Sequence, residues 1–159
     1  MNTATQDGQS AQLYGVDLRP GLASHGSPAT ITRTENLGFA ALTGDSHPIH
    51  YDEAFAARTR HGRCVVHGLL LASLGAFGAT PLSRRIEDAM VAFVDSQFSF
   101  LKPVFIGDTV TSHFEVAQVE HKPARNLSLL RFDMWLTNDA GDTVMQGKHT
   151  YLVRTQPDT

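Results

Sequence analysis

Hydrophobic positions in the second half of the chain alternate. One apolar set runs Met90, Ala92, Val94, Phe98, Phe100; a second Val110, Phe114, Val116; a third Leu130, Phe132, Met134, Leu136; a fourth Met145, Tyr151, Val153. Period two with one apolar side predicts four long, half-buried antiparallel strands. Asn138 to Asp142 (NDAGD) supplies the turn between the last two, and His121 to Asn126, with Pro123, the turn between the preceding pair.

The first half has a different rhythm. Ala29 to Ile31 reads as extended, and Thr32 or Thr34 can cap a short helix whose Leu37, Ala40 and Ala41 fall at i, i+3 and i+4, ending at Gly44. Asp52 to Thr59 carries acids in its first turn and predicts a second short helix. From Gly68 to Ala79 the chain has no charged residue, which predicts a helix buried on all sides. A buried helix followed by strands with one greasy face each predicts an α+β fold: a curved antiparallel sheet wrapped around a long central helix. The sheet's open edges predict a dimer that continues it.

Composition narrows the setting. The 159 residues suit a single domain, placed at 13–155, after a polar tail over 1–12 that reads as frayed and without a targeting signal. A formal charge of −3 gives no electrostatic reason for a nucleic-acid or anionic-membrane partner. The weakly polar run from Cys64 to Thr80 is interrupted by His67 and falls short of the roughly 20 residues that span a bilayer. With Cys64 the only cysteine, no internal disulfide forms, which fits a cytoplasmic location. Cys64 itself reads as a small buried residue.

Chemistry concentrates in GDSHPIHYDE, Gly44 to Glu53. Pro48 stiffens the loop between Asp45 and His50, so a carboxylate and an imidazole can converge on one point, as a general acid/base pair requires. Asp and His also flank ordinary turns, and Asp45 could merely cap the next segment. His67-Gly68, directly before the apolar helix, adds a second feature: glycine permits close approach to the backbone, and a free amide there can hold a developing oxyanion. Together they suit proton transfer at a carbon beside a carbonyl, with a thioester enolate the natural candidate. Asp45, His47, His50, His61 and His67 also invite a metal reading, but the His-x2-His spacing crosses a proline, HExxH is absent and no Cys pair supports it. No metal is expected.

Three segments in order, FAALTGDSHPIHYDEAFA, VVHGLLLASL and FSFLKPVFIGDTV, make the sequence from about Thr30 to Val153 resemble the MaoC-like, (R)-specific enoyl-CoA hydratases and dehydratases of the hot-dog fold. The resemblance implies a hydro-lyase that adds water syn across the double bond of a trans-2-enoyl thioester. Asp45 and His50 would be the catalytic dyad and the Gly68 amide the holder of the thioester carbonyl, with His47, Pro48, Ile49 and His67 around the substrate. The KPVFIGD segment, Lys102 to Asp108, would shape the fold. The resemblance further implies a homodimer and an acyl-CoA or acyl-carrier-protein thioester as partner, with coenzyme A part of the substrate and no bound cofactor. Arg58, Arg60, Arg63 and Lys102 are candidates to meet its phosphates.

Two positions depart from the family pattern: His47 replaces the usual Asn of GDxNPxH, and Ala76 stands where some relatives place a helix serine. Two other readings stay open, a dehydratase for a branched or carboxylated thioester, which would need an extra cation in the acyl pocket, and a noncatalytic thioester-binding module.

Overall fold

The computed structural model describes residues 11–157. Two short strands, β1 (Ala23–His25) and β2 (Ala29–Thr30), precede four long ones: β3 (Met90–Phe100), β4 (Thr109–Lys122), β5 (Leu127–Asn138) and β6 (Thr143–Arg154). All pairings are antiparallel, in the order β1-β4-β5-β6-β3, with β2 also on β4. Among the described residues β3 therefore pairs only with β6 and leaves an edge open.

The alternation carries through β4, β5 and β6, whose inward side chains Val110, Phe114, Val116, Leu130, Phe132, Met134, Leu136, Met145 and Val153 are buried in one cluster. Burying side chains of this size contributes about 1.5–3 kcal/mol apiece, which makes the sheet's inner face the main stabilising surface. Phe77 seats on it with its ring centroid 4.6 Å from that of Phe132 and 5.3 Å from that of Tyr151.

In β3 the expected phase does not persist. The ladder to β6 shifts between Met90 and Ala92 and again between Phe93 and Asp95. An extra residue at a bulge swaps the faces of the residues beyond it. Consequently Phe93, not Val94, falls opposite Tyr151 and stacks on it with centroids 4.8 Å apart, although both Phe93 and Val94 stay about half exposed, at 55% and 54%.

The helices also differ from the pattern in extent. α1 (Arg33–Thr43) begins at a capping box of Thr32 and Glu35 and ends at Gly44, whose φ of 78° suits glycine. Its inward face is Asn36 with Phe39, not the Leu37, Ala40 and Ala41 stripe; Leu37 is 45% exposed. α2 covers only Glu53–Ala56. The central helix, α3, spans Gly68–Ser73 and gives way to a 3-10 turn over Phe77–Ala79, followed by α4 (Pro81–Arg85). Gly75, Gly78 and Pro81 weaken its continuation. Nor is it buried all round, since Leu69 is 65% exposed.

KPVFIGD shapes the sheet entry as expected. Asp108 accepts the Phe105 amide at 2.9 Å through its carboxylate and the Ile31 amide at 3.0 Å through its carbonyl, while Gly107 N–H donates to Ile31 O. Residues 1–10 of the expected tail lie outside the described residues; Gln12, near its end, bonds the Arg84 carbonyl and the Asp88 amide. Among the described residues no helix is long and apolar enough to cross a membrane.

Close strand approach sets one strict requirement. A Cβ at Gly147 on β6 would lie 2.1 Å from the Gln97 carbonyl oxygen on β3, a backbone atom with little freedom to yield. Gly147→Ala is expected to destabilise the fold by about 2 kcal/mol or more, as overpacking does. Urea unfolding checks this, and a midpoint unchanged from the parent protein would show that β3 tolerates the displacement.

Candidate active site

Four segments meet at the N-terminal end of α3. α1 supplies Asn36, the loop after it supplies Asp45 to Tyr51, an extended stretch supplies Val65 to His67, and α3 begins with Gly68. Asn36 is fully buried and holds two of these together: its Nδ2 donates to the His50 carbonyl at 2.8 Å, and its Oδ1 accepts the His67 amide at 3.2 Å. The amide side chain spans the gap between the Asp45–Tyr51 loop and the helix entrance with a donor on one end and an acceptor on the other.

Within the loop, Asp45 Oδ1 accepts the His47 amide at 3.2 Å. His47 in turn caps the 3-10 turn Pro48–His50, with Nδ1 accepting the Ile49 amide at 3.3 Å. The Ile49 carbonyl takes the Val65 amide at 3.2 Å, so the turn is pinned to the strand-like stretch before α3. His50 Nδ1 lies 2.9 Å from the Val65 carbonyl, an acceptor only. That nitrogen therefore carries the ring proton in neutral His50, and Nε2 keeps a lone pair available as a base.

His67 lies beneath the pair, 2% exposed, with its ring stacked under His50 at a centroid distance of 3.7 Å. Its Nδ1 is 3.1 Å from Asp45 Oδ2. A carboxylate only accepts, so Nδ1 is protonated and Nε2 is left as acceptor, where the Tyr51 hydroxyl meets it. The same hydroxyl lies 2.5 Å from the Asp45 carbonyl oxygen, also an acceptor, so its single proton is shared between the two. Burial first, and the Asp45 charge second, raise the Tyr51 phenol above its usual value, so it remains a donor. Asp45 is thus gripped at Oδ1 by a backbone amide and at Oδ2 by an imidazole, while its side chain stays about half exposed. The His47 amide is the main reason its carboxyl sits below the ordinary range, with the His67 and His50 rings adding to it against partial burial.

Asp45, His50 and His67 each offer an atom within 4.8 Å of the others, a spacing a metal ion could use. Both His67 nitrogens are already committed, however, to Asp45 and Tyr51. What remains is a carboxylate and one imidazole nitrogen, a donor set suited to gripping a water molecule between a base and an acceptor. Gly68 adds an amide ahead of the first bond of α3, which runs from Leu71 N–H to the His67 carbonyl at 2.9 Å. The Phe100 ring closes over it, 3.3 Å from where a Cβ would be.

Asp45, His50, His67 and Gly68 are thus brought together, with His47, Pro48 and Ile49 forming the wall that carries them. The four basic candidates are engaged elsewhere: Lys102 with Asp142 at 2.9 Å, Arg63 over the Phe105 ring at 4.0 Å, Arg58 with the Ala54 carbonyl and Arg60 with His61. Tyr51 and Asn36 escape a search for acid/base spacing; Tyr51 is signalled only by following His50 directly, and Asn36 by being the polar residue in an apolar helix face.

A family model described as MaoC like domain matches residues 22–128. An (R)-specific enoyl-CoA hydratase from Aeromonas caviae is 42% identical over 95 residues, 59% of this chain and 69% of that protein. A 3-hydroxybutyryl-CoA dehydratase from Methylorubrum extorquens is 37% identical over 115 residues, 71% of each. Among solved structures, an unliganded R-hydratase from Pseudomonas aeruginosa superposes with a TM-score of 0.74 at 25% identity, covering 91% of this chain and 88% of that one. A Mycobacterium tuberculosis protein described as a double hotdog fold matches with a TM-score of 0.76 at 18% identity, covering 93% of this chain and 46% of that one. The sheet around α3 is a single hot-dog fold, the counterpart of about half of that chain.

The buried polar groups generate two expected outcomes. Asn36→Ala strands the His50 carbonyl and the His67 amide without partners, and is expected to cost about 2–4 kcal/mol in urea unfolding; a loss under about 0.5 kcal/mol would mean the clamp is dispensable. Burial, helped by His50 for His67 and His25 for His113, holds the His67, His113 and His149 imidazoles below the ordinary 6.5. The unfolded chain then takes up protons first, so stability falls as pH drops below 6.5, by at most about 1.4 kcal/mol per pH unit for each ring. Unfolding curves between pH 8 and pH 5 read this directly, and a flat profile would contradict it.

Proposed function

The chain belongs to the MaoC-like domain family, and from that membership we propose that it is a hydro-lyase, hydrating trans-2-enoyl thioesters reversibly to (R)-3-hydroxyacyl thioesters. The observation that carries the reading is the convergence of Asp45 and His50 beside the Gly68 amide. A water held between the Asp45 carboxylate and His50 Nε2 is placed to attack C3 of the enoyl chain. As the C3–O bond forms, the pair removes a proton from the water and electron density moves through C2 onto the thioester oxygen. The Gly68 N–H faces that oxygen and stabilises it most when it is enolate-like. Protonation of C2 from the same side completes syn addition, and dehydration runs the sequence backwards. Coenzyme A, or a carrier protein's thiol arm, enters as part of the substrate; the reading requires no resident cofactor.

Homodimer formation belongs to the same proposal. The open edge of β3 carries exposed Val91, Phe93, Val94 and Phe100, and exposed Leu69 on α3 adds to this apolar surface. Apolar edges of this kind are ordinarily covered, and a second copy continuing the sheet would cover this one.

The test is loss of conjugated-thioester absorbance with a panel of trans-2-enoyl-CoA substrates, run on protein whose mass is measured by light scattering. Expected are turnover, an (R) product, a two-chain mass, and a fall of about 10²–10⁴ in kcat for Asp45→Asn and His50→Gln. Absence of turnover with every chain length would sink the hydratase reading, and a one-chain mass would sink the dimer.

A further inference from the structure

Beyond the reacting end, the inner face of the sheet holds a cavity of about 490 Å³ alongside α3, walled by Leu69, Ala72, Ala76, Phe93, Phe98 and Tyr151. α3 rises ~1.5 Å per residue, which puts Ala72 and Ser73 about 6–8 Å down the axis from Gly68. The lining contains no charged residue. It does contain His149, 3% exposed, whose Nε2 is buried without a hydrogen-bond partner. Aromatic rings surround it, Phe93 at 5.1 Å and Phe98 and Phe114 each at 5.7 Å.

A second polar atom shares the predicament. Ser96 stands directly opposite His149 in the β3–β6 ladder, and its Oγ is also buried and unpartnered. Directly paired residues present their side chains on the same face. Of the two, His149 lines the apolar wall, and a buried group there with nothing to bond is costly unless a ligand supplies the missing partner.

Chemistry of the ring defines that partner. Nδ1 faces the Tyr151 hydroxyl at 3.5 Å, and Tyr151 also bonds the Phe77 backbone. With the phenol proton directed to Nδ1, the ring proton sits on Nε2, making it a donor. We propose that this cavity takes the acyl chain of the thioester and that His149 donates its Nε2–H to an uncharged hydroxyl or carbonyl oxygen carried on that chain beyond the reacting double bond. The inference rests on the hydratase reading and adds a substrate class to it: enoyl thioesters bearing a neutral oxygen function. Burial keeps the imidazole neutral, and the absence of charge in the lining matches a neutral group over a carboxylate.

Matched pairs of medium-length trans-2-enoyl-CoA substrates, one with a terminal hydroxyl or oxo group and one with a methyl in its place, test this through the ratio of their kcat/KM values. In parallel, calorimetry gives the ratio of affinities for the corresponding saturated acyl-CoA pairs, which needs no turnover. Both ratios are expected to favour the oxygenated chain by at least about tenfold. His149→Phe should bring them near unity, while His149→Gln, which keeps an N–H, should restore part of the preference. Binding selectivity without turnover would leave the specificity site standing and reject only the hydratase. An equal or better alkyl chain in the calorimetric arm, no binding of either chain, or a ratio unmoved by His149→Phe overturns the proposal.

Discussion

The site depends on a single buried amide. Asn36 reaches from the first helix to two segments remote from it and from each other in sequence, accepting an N–H from one and giving an N–H to the other. No water competes at a side chain with no exposed area, so both bonds act in a medium where leaving either group unpaired is expensive. Everything downstream inherits this registration: the position of His50 over His67, the angle at which His67 meets Asp45, and the distance of both from the start of α3. A dyad on a loop is a flexible thing, and it is made rigid here from behind.

Most of the architecture is legible in the amino-acid pattern. Strands whose inward residues are uniformly large declare themselves by alternation, and the loop around Pro48 declares itself by composition. Where the pattern misleads, the cause is local geometry that periodicity cannot encode. β3 changes phase because of bulges, which are set by pairing with β6 and leave no compositional mark in VAFVDS. α1 hides a polar residue where an apolar stripe was expected, because hydrogen-bonding demand outweighed hydrophobic content at that face. α3 stops early, although its glycines and Pro81 stand in the sequence as punctuation. His149 is instructive: it occupies the same alternating set as Met145, Tyr151 and Val153, so its burial could be read from position parity, while its lack of a partner could not.

The replacement of the family's usual Asn by His47 acquires a physical sense from the turn it caps. An Asn at this position accepts a nearby amide with its side-chain oxygen; here the imidazole Nδ1 accepts the Ile49 amide instead, and the 3-10 turn is kept. What changes is the body that carries the accepting atom: the imidazole ring also packs edge-on against Phe55, with centroids 5.8 Å apart, an aromatic contact that an amide at that position lacks.

The brevity of α3 has a consequence of its own. A helix continued for two more turns, with ordinary side chains, would fill the space beneath Phe93 and Phe98; instead Ala72, Ser73, Gly75, Ala76 and Gly78 leave it vacant of side-chain volume. On the hydratase reading, one end of the acyl chain is set by directional bonds near Asp45, and the other by where side chains resume. The molecule is in that sense a ruler, with its zero mark fixed by polar geometry and its scale cut by omission. Its graduation can be moved a methyl group at a time by substitutions on the inner side of α3, without touching the zero.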